Sequence, residues 1–560
     1  MPKAAPESPD PPPLPGWAVA ALAVGVGVVA GYGAVVFRAM ISAIHDLFFL
    51  GQLSVTYDGN LHAPAGPWGA GIILAPVLGA LGVAFIVGTF APEAKGHGVP
   101  EVMDAIYCGD GRIRPVVAVA KSIASALSIG SGGSVGREGP IVQIGAAFGS
   151  TLGQLIRMPV RQRILLIAAG AGAGIAATFN APIGGIAFAI ELMLPAVGAR
   201  SLLPVALATA VATGIGRSFF GALPAFHAPG LAAMKPADAS LGALPWFLAC
   251  GLAVGLLAAL TTRAIYWFED RFDALPGNYY TRHMLGMLAV GLVLYAFLTL
   301  STPLFGQPGH YYVEGVGYAT ILDILRGQLG VPGFLLLLVG AKLLVTCLTL
   351  GSGASGGIFS PCLFLGAALG AAFGGLLRAL LPGVEVTPEH FALAGMAGMV
   401  AGTTGAVVTA IVMVFEMTWN YSAILPVILT AVTAYALRQQ LSPASIYTLK
   451  LLRRGVVVPQ GLQAWTLGTP RAQDVMSGEL AGIVVVRDDR IAGVLPDGAR
   501  YVAVEPQDRL NDVLREMEAA SASIALVARS RESASARDLL GVITDREIAA
   551  RTRAAARLQE

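Results

Sequence analysis

An arginine and a glutamate stand side by side in a glycine-rich stretch, Gly130–Pro140 (GSGGSVGREGP), of a chain that is otherwise membrane-like. An ionisable side chain at membrane depth is costly unless it faces a water-filled path or a partner. Glycines strip away side chains so that backbone N–H groups can point at a ligand, and a helix starting at such a turn offers an anion the positive end of its dipole. Arg137 and Glu138 therefore read as part of an anion-handling element inside a membrane. A phosphate-cradling loop would end in Lys followed by Ser or Thr, whereas this one ends Arg-Glu-Gly-Pro, with a carboxylate where phosphates would lie.

The elements that position this turn are apolar. Of 560 residues 55% are hydrophobic and only 12% charged, with 70 glycines, and the mean hydropathy is +0.70; an ordinary soluble domain carries about 25% charge. Apolar runs include Trp17–Leu50, Trp68–Phe90, Val116–Ile129, Ile164–Thr178, Ile183–Leu194, Ser201–Phe220, Leu244–Trp267, Met284–Leu300, Phe334–Leu350, Phe391–Val400 and Ile424–Leu437. Several fall short of the ~20 residues of a simple span, and many are cut by Gly or Pro, which predicts tilted and broken helices. The net charge of +2 says little about partners, and no nucleic-acid partner is expected. Cys108, Cys250, Cys347 and Cys362 have no paired spacing, so neither disulfides nor a metal site is indicated. A cation transporter would need several intramembrane carboxylates converging as oxygen ligands, and the few here stand beside Arg or in repeat-related positions.

The chain matches itself. Lys121–Gly149 aligns with Lys342–Gly370 without gaps at an offset of 221, and about twelve of 29 positions are identical. A second pair, ending in ELM and EMT, aligns at an offset of 225 and places Glu191 on Glu416. Duplicated halves with Gly/Pro-interrupted segments at matching positions point to a transporter-type fold with substrate held between half-helix ends. The interruptions here are GREGP and GIFSP.

The ordered set GHGVP (Gly96–Pro100), GREGP (Gly136–Pro140), GIFSP (Gly357–Pro361) and IYT (with Tyr447) resembles the CLC family of chloride channels and proton-coupled chloride transporters, over roughly residues 17–455. The resemblance implies an all-α polytopic membrane domain of tilted, broken helices in two inverted repeats. It also implies a homodimer with a pore in each subunit, and transport of chloride, with or without protons, rather than enzymatic catalysis. Carried over by position, Glu138 is the gate that competes with chloride for the outer anion site, and Arg137 raises local anion concentration. Backbone N–H groups of Ile358 and Phe359 are central anion ligands, and Tyr447 is the inner-gate tyrosine. The proline after GREG matches chloride-type rather than fluoride-handling members.

Two positions depart from the family pattern. Where a serine hydroxyl usually donates to the central ion, this chain has His97; either its imidazole donates, making the inner mouth pH-sensitive, or it turns aside and leaves the backbone of Gly98 and Val99 to face the ion. Where proton-coupled members usually carry an internal proton-accepting glutamate, this chain has Leu192, which cannot bind a proton. That favours channel-like or weakly proton-coupled conduction; the alternatives are H+/Cl- exchange by another proton path and an altered anion selectivity. Glu191 and Glu416 read as buried carboxylates accepting backbone N–H groups, Lys121 and Lys342 as structural cations, and Glu101 as a helix-start carboxylate.

The expected organisation is a disordered tail (1–15), a membrane domain (16–455, repeats at about 16–230 and 240–455), a linker (456–470) and a small α/β tail (471–560) resembling CBS modules. No cofactor is expected, except that Glu547, three residues after Thr544, leaves an adenine nucleotide as a candidate ligand of that tail. The Pro-rich start has no basic region leading to a cleavage site, and Arg453 and Arg454 after the last apolar run predict a cytoplasmic C-terminus in an inner membrane.

Overall fold

A glycine at a helix crossing lets two backbones touch, and in lipid, where apolar side chains gain nothing by avoiding the solvent, such contact is a main source of helix association. In the computed structural model, a Cβ on Gly145 would strike the carbonyl oxygen of Gly170, and the reverse is also true. Gly366 and Gly395, the repeat mates of these two, make the same crossing. The duplication read from sequence is therefore a duplication of packing.

The structure describes residues 12–195, 197–228, 242–381, 387–456, 458, 471–478, 483–487, 490–494, 500–531, 536–544 and 547–548. Most of the expected N-terminal tail and linker lie outside them. The chain divides into two compact units, Met1–Leu194 with Ala199–Val456, and Pro195–Gly198 with Val457–Glu560.

The first unit is helical. Its first eight helices are α1 (Gly16–His45), α2 (Ala75–Thr89), α3 (Val99–Tyr107), α4 (Pro115–Gly130), α5 (Glu138–Leu155), α6 (Val160–Phe179), α7 (Pro182–Phe188) and α8 (Ala199–Phe220). The next eight are α9 (Leu244–Asp273), α10 (Tyr279–Phe305), α11 (Tyr318–Leu325), α12 (Pro332–Ser352), α13 (Phe359–Leu380), α14 (Pro388–Thr404), α15 (Val407–Thr418) and α16 (Ile424–Leu441), followed by α17 (Ile446–Arg453). Neighbours repeat with the order: α1 packs on α8 as α9 does on α16, α5 on α6 as α13 on α14, α2 on α4 as α10 on α12, and α3 on α5 as α11 on α13.

Contacts between repeat mates locate the axis relating the halves. Gly136 and Gly357 bridge each other antiparallel, and each N–H donates to the other's carbonyl, at 2.7 and 2.6 Å. Glu191, after α7, receives the N–H groups of Val408 and Thr409 on α15, at 2.9 and 2.7 Å. Glu416, on α15, receives those of Ile183 and Gly184 on α7, at 3.1 and 2.7 Å. Reciprocal contacts of this kind are what a two-fold relation produces, and they give the two carboxylates the backbone partners expected from sequence; Glu416 is buried as expected, whereas Glu191 is exposed, because it caps α15 from the surface of the helix bundle.

Among the described residues nine helices are long and apolar enough to cross a membrane. With 30 residues, α1 is about 45 Å long at 1.5 Å per residue; that exceeds an apolar layer of about 30 Å, so it is long enough to cross one at a tilt. The short α3, α7 and α11 cannot cross; the starts of α3 and α11 at Val99 and Tyr318 are buried within the protein.

In the second unit, β1 (Val484–Arg487) and β2 (Arg490–Val494) form an antiparallel hairpin. β3 (Tyr501–Val504) leads through α18 (Leu510–Ala519) to β4 (Ile524–Ala528), parallel to β3, and β5 (Leu539–Thr544) pairs antiparallel with β4. Val504, Leu510, Val513, Met517, Ala525, Val527 and Ile543 form its core. The strand-helix-strand arrangement follows the expected α/β pattern.

Candidate functional site

Helices α3, α5, α11, α13 and α17 all begin at residues joined through a chain of contacts. Two loops are stitched there: Gly96 N–H donates to Ala354 O (2.9 Å), and Gly356 N–H to Gly96 O (3.2 Å). Gly98 (φ 79°) and Gly317 (φ 75°), just before α3 and α11, adopt left-handed conformations that a side chain resists. Mate cations fix both loops. Lys121 Nζ donates to Ala94 O and Gly96 O (2.9 and 2.6 Å), and Lys342 Nζ to Val313 O and Gly315 O (3.0 and 2.8 Å). Lys121 and Lys342 are therefore structural, as expected.

Glu138, the first residue of α5, is buried and turned toward the start of α13. Its Oε2 accepts from Ser360 N–H at 3.4 Å, and its Oε1 accepts from the Ser360 hydroxyl and, at 3.0 Å, from the Tyr318 hydroxyl. Ile358 and Phe359 are the N-cap and first residue of α13, where N–H groups have no partner within the helix. The carboxylate thus sits where those dipoles would hold a free anion. Arg137 makes no ion pair with Glu138 among the described residues. Its guanidinium lies 5.1 Å from the Tyr318 ring centroid and donates to Thr178 O at 3.4 Å.

The other half is aromatic. His97 is buried, with Nε2 3.4 Å from the Tyr266 hydroxyl and its ring centroid 6.2 Å from that of buried Tyr447. The Tyr266 hydroxyl donates to Ile446 O, at the start of α17. His97 Nδ1 is buried without a protein hydrogen-bond partner among the described residues. The imidazole thus lies beside Tyr447, and the carbonyl of His97 lies against Gly139 of the GREGP turn, with the backbone of Gly98 following it. Leu192 is buried in a π-helical turn, Ala189–Met193.

Two carboxylates have partners that the sequence did not disclose. Glu101 does more than meet a helix dipole: both its oxygens take the Arg454 guanidinium (2.8 and 2.9 Å), with Lys450 at 3.6 Å, because the chain after α17 returns to α3. Glu547 is turned onto its own loop, accepting from Thr544 N–H at 2.9 Å and from the Thr544 hydroxyl, so its carboxylate is already engaged where a ribose was considered.

Sequence reasoning missed Tyr318, Ser360 and Tyr266. Ser360 lies inside GIFSP, and Gly315–Tyr318 (GVGY) occupies the place in its half that Gly96–Val99 (GHGV) occupies in the other, as the two lysines reveal. Tyr266 carried no sequence signal.

Residues 79–439 match the family described as voltage gated chloride channel. Proteins of Vibrio parahaemolyticus and Vibrio vulnificus named H(+)/Cl(-) exchange transporter ClcA are 33% and 34% identical; the alignments cover 69% and 70% of this chain and 80% of each relative. A slow cyanobacterial Cl-/H+ antiporter solved by X-ray crystallography is 27% identical, with a TM-score of 0.66 over 79% of this chain and 98% of its own. A eukaryotic CLC transporter, 19% identical, shares the fold at a TM-score of 0.64 over 94% of this chain and 97% of its own.

Proposed function

The chain belongs to the voltage-gated chloride channel family, and from that premise we propose that it moves chloride across a membrane by a path gated by Glu138. The observation that carries this reading is the Glu138 carboxylate lying against the N-terminus of α13. A carboxylate there competes with chloride for the same dipoles, and protonation or displacement vacates the position for the ion. Ile358 and Phe359 supply N–H dipoles that bind without trapping, Tyr447 and His97 line the inner part, and Arg137 adds positive potential. Selectivity for chloride is part of the proposal, with His97 the residue that would alter it.

With Leu192 buried and untitratable beside the backbone-bound Glu191, the favoured mode is channel-like or weakly proton-coupled conduction. A second reading, H+/Cl- exchange by another proton route, is supported by relatives named as exchange transporters. We place the protein in a lipid bilayer, a bacterial inner membrane, as a homodimer with a cytoplasmic C-terminal tail. That tail is CBS-like and serves assembly more than nucleotide binding, since Glu547 is engaged internally.

Purified protein in liposomes, under a chloride gradient with voltage held near zero by potassium and valinomycin, decides the mode. Chloride flux without uphill proton movement supports the channel-like reading; proton movement driven uphill by chloride establishes exchange without a glutamate at position 192. Glu138→Ala should make flux independent of pH, and a profile that stays pH-dependent removes Glu138 from the gate.

A further inference from the structure

We propose that Tyr318 is a positioning residue for the gate: its hydroxyl latches the Glu138 carboxylate in the outer anion position and so sets the pH and chloride concentration at which the path opens. This inference rests on the gating role of Glu138. Three other tyrosine hydroxyls of this membrane unit donate to backbone carbonyls: Tyr312 to Pro308, Tyr279 to Gly353, Tyr266 to Ile446. Tyr318 instead reaches the gate, with its hydroxyl 3.0 Å from Glu138 Oε1 and 2.7 Å from Ser360 Oγ.

The ring is held to that task from both ends. Left-handed Gly317 and the Lys342 bonds to Val313 O and Gly315 O fix the backbone where α11 starts. Arg137 lies against the ring, and Phe226 meets it edge-on at 5.1 Å. The latch also breaks the symmetry of the repeat. In the other half the residue after the second glycine of the loop is Val99, which has no hydroxyl, so a donor aimed at the gate exists on one side only.

The sign follows from the protonation states. A hydrogen bond to a charged acceptor is about twice as strong as one to a neutral acceptor, so the Tyr318 and Ser360 hydroxyls favour the seated carboxylate over the protonated gate. Charged and titratable groups on the surrounding elements also act on the gate or on one another: Arg38 on α1, Arg137 on α5, Glu314 before α11, Lys342 on α12, Cys362 on α13 and Tyr447 on α17. Tyr318→Phe leaves all of these in place and removes one O–H donor.

The test is chloride flux from liposomes as a function of pH for the wild type, Tyr318→Phe, Ser360→Ala, Glu138→Ala and the Tyr318→Phe/Glu138→Ala double variant. Losing one donor to a charged group weakens the seated gate by about tenfold. In Tyr318→Phe the pH of half-maximal flux should therefore rise by about one unit. Its half-saturating chloride should fall, and Ser360→Ala should move both in the same direction even if Tyr318→Phe does not fold. With Glu138 removed, Tyr318→Phe should change nothing. A flat Glu138→Ala profile with unmoved midpoints in Tyr318→Phe and Ser360→Ala overturns the latch while leaving the gate. A shift that persists without Glu138 overturns it too, because the tyrosine would then act on the path itself. A Glu138→Ala protein that keeps the wild-type profile overturns gate and latch together.

Discussion

Gly136→Ala tests the seat of the gate without touching a titratable group. A methyl built on Gly136 would overlap Glu138 Oε2 and come within 2.9 Å of Cδ, and the three nearest atoms it meets all belong to that one side chain. Gly136 is also outside the positive-φ set, so alanine suits its backbone. The clash can be relieved by moving the flexible carboxylate alone. Overpacking of this kind costs about 1–3 kcal/mol, and each 1.36 kcal/mol is a tenfold change in an equilibrium, so the seated gate should be depleted roughly five- to 150-fold. Chloride flux from liposomes at neutral pH should rise toward the acidic-pH value, flattening the pH profile, while acidic flux stays where it was. Gly357→Ala is the contrast, because its methyl would meet the backbone nitrogen of Gly139 at 2.8 Å as well as the carboxylate, and should impair folding. If Gly136→Ala folds and keeps the wild-type pH profile, the carboxylate does not occupy this seat and the reasoning fails.

Gly366→Ala should lower the thermal denaturation midpoint in detergent, by about 1–3 kcal/mol of overpacking, because its Cβ would strike the Gly395 carbonyl; Gly145→Ala should do the same, and unchanged midpoints would contradict the close crossing. Glu416→Gln replaces one acceptor oxygen with an NH2 group facing a backbone N–H, leaving a buried donor unsatisfied at about 1–3 kcal/mol. Thermal unfolding should report that loss, while the pH midpoint of chloride flux stays fixed. His97→Ser should shift the pH dependence or the anion preference of flux measured in competing anions, and identical profiles would place the imidazole outside the path.

Much of the site was legible because it is made of helix starts. Glycine and proline mark where helices break, so GREGP and GIFSP announced two N-termini, and the duplicated lysine and glutamate announced the symmetry. The glutamates found the backbone N–H groups read for them because each faces the corresponding short helix of the opposite half, although Glu191 is exposed. Glu101 lies at a helix start as read, but its ion pair was not legible because its partner, Arg454, is 353 residues away and nothing local encodes that return of the chain. Glu547 shows the opposite case: a bond only three residues long competes with any ligand.

By itself the sequence determined the membrane setting and the duplicated halves, and its GREGP motif singled out Glu138 as the proposed gate, since each follows from composition, self-similarity or a contiguous motif. Tertiary structure alone decided what surrounds the gate. Tyr318 lies 180 residues from Glu138 and Ser360 lies 222, and they meet because the two halves pack about a two-fold axis that brings α5, α11 and α13 to one place. The same packing set Tyr266 between His97 and α17. A hydroxyl that no local pattern distinguishes acquires a role when a fold places it against a buried charge, where a hydrogen bond is worth most.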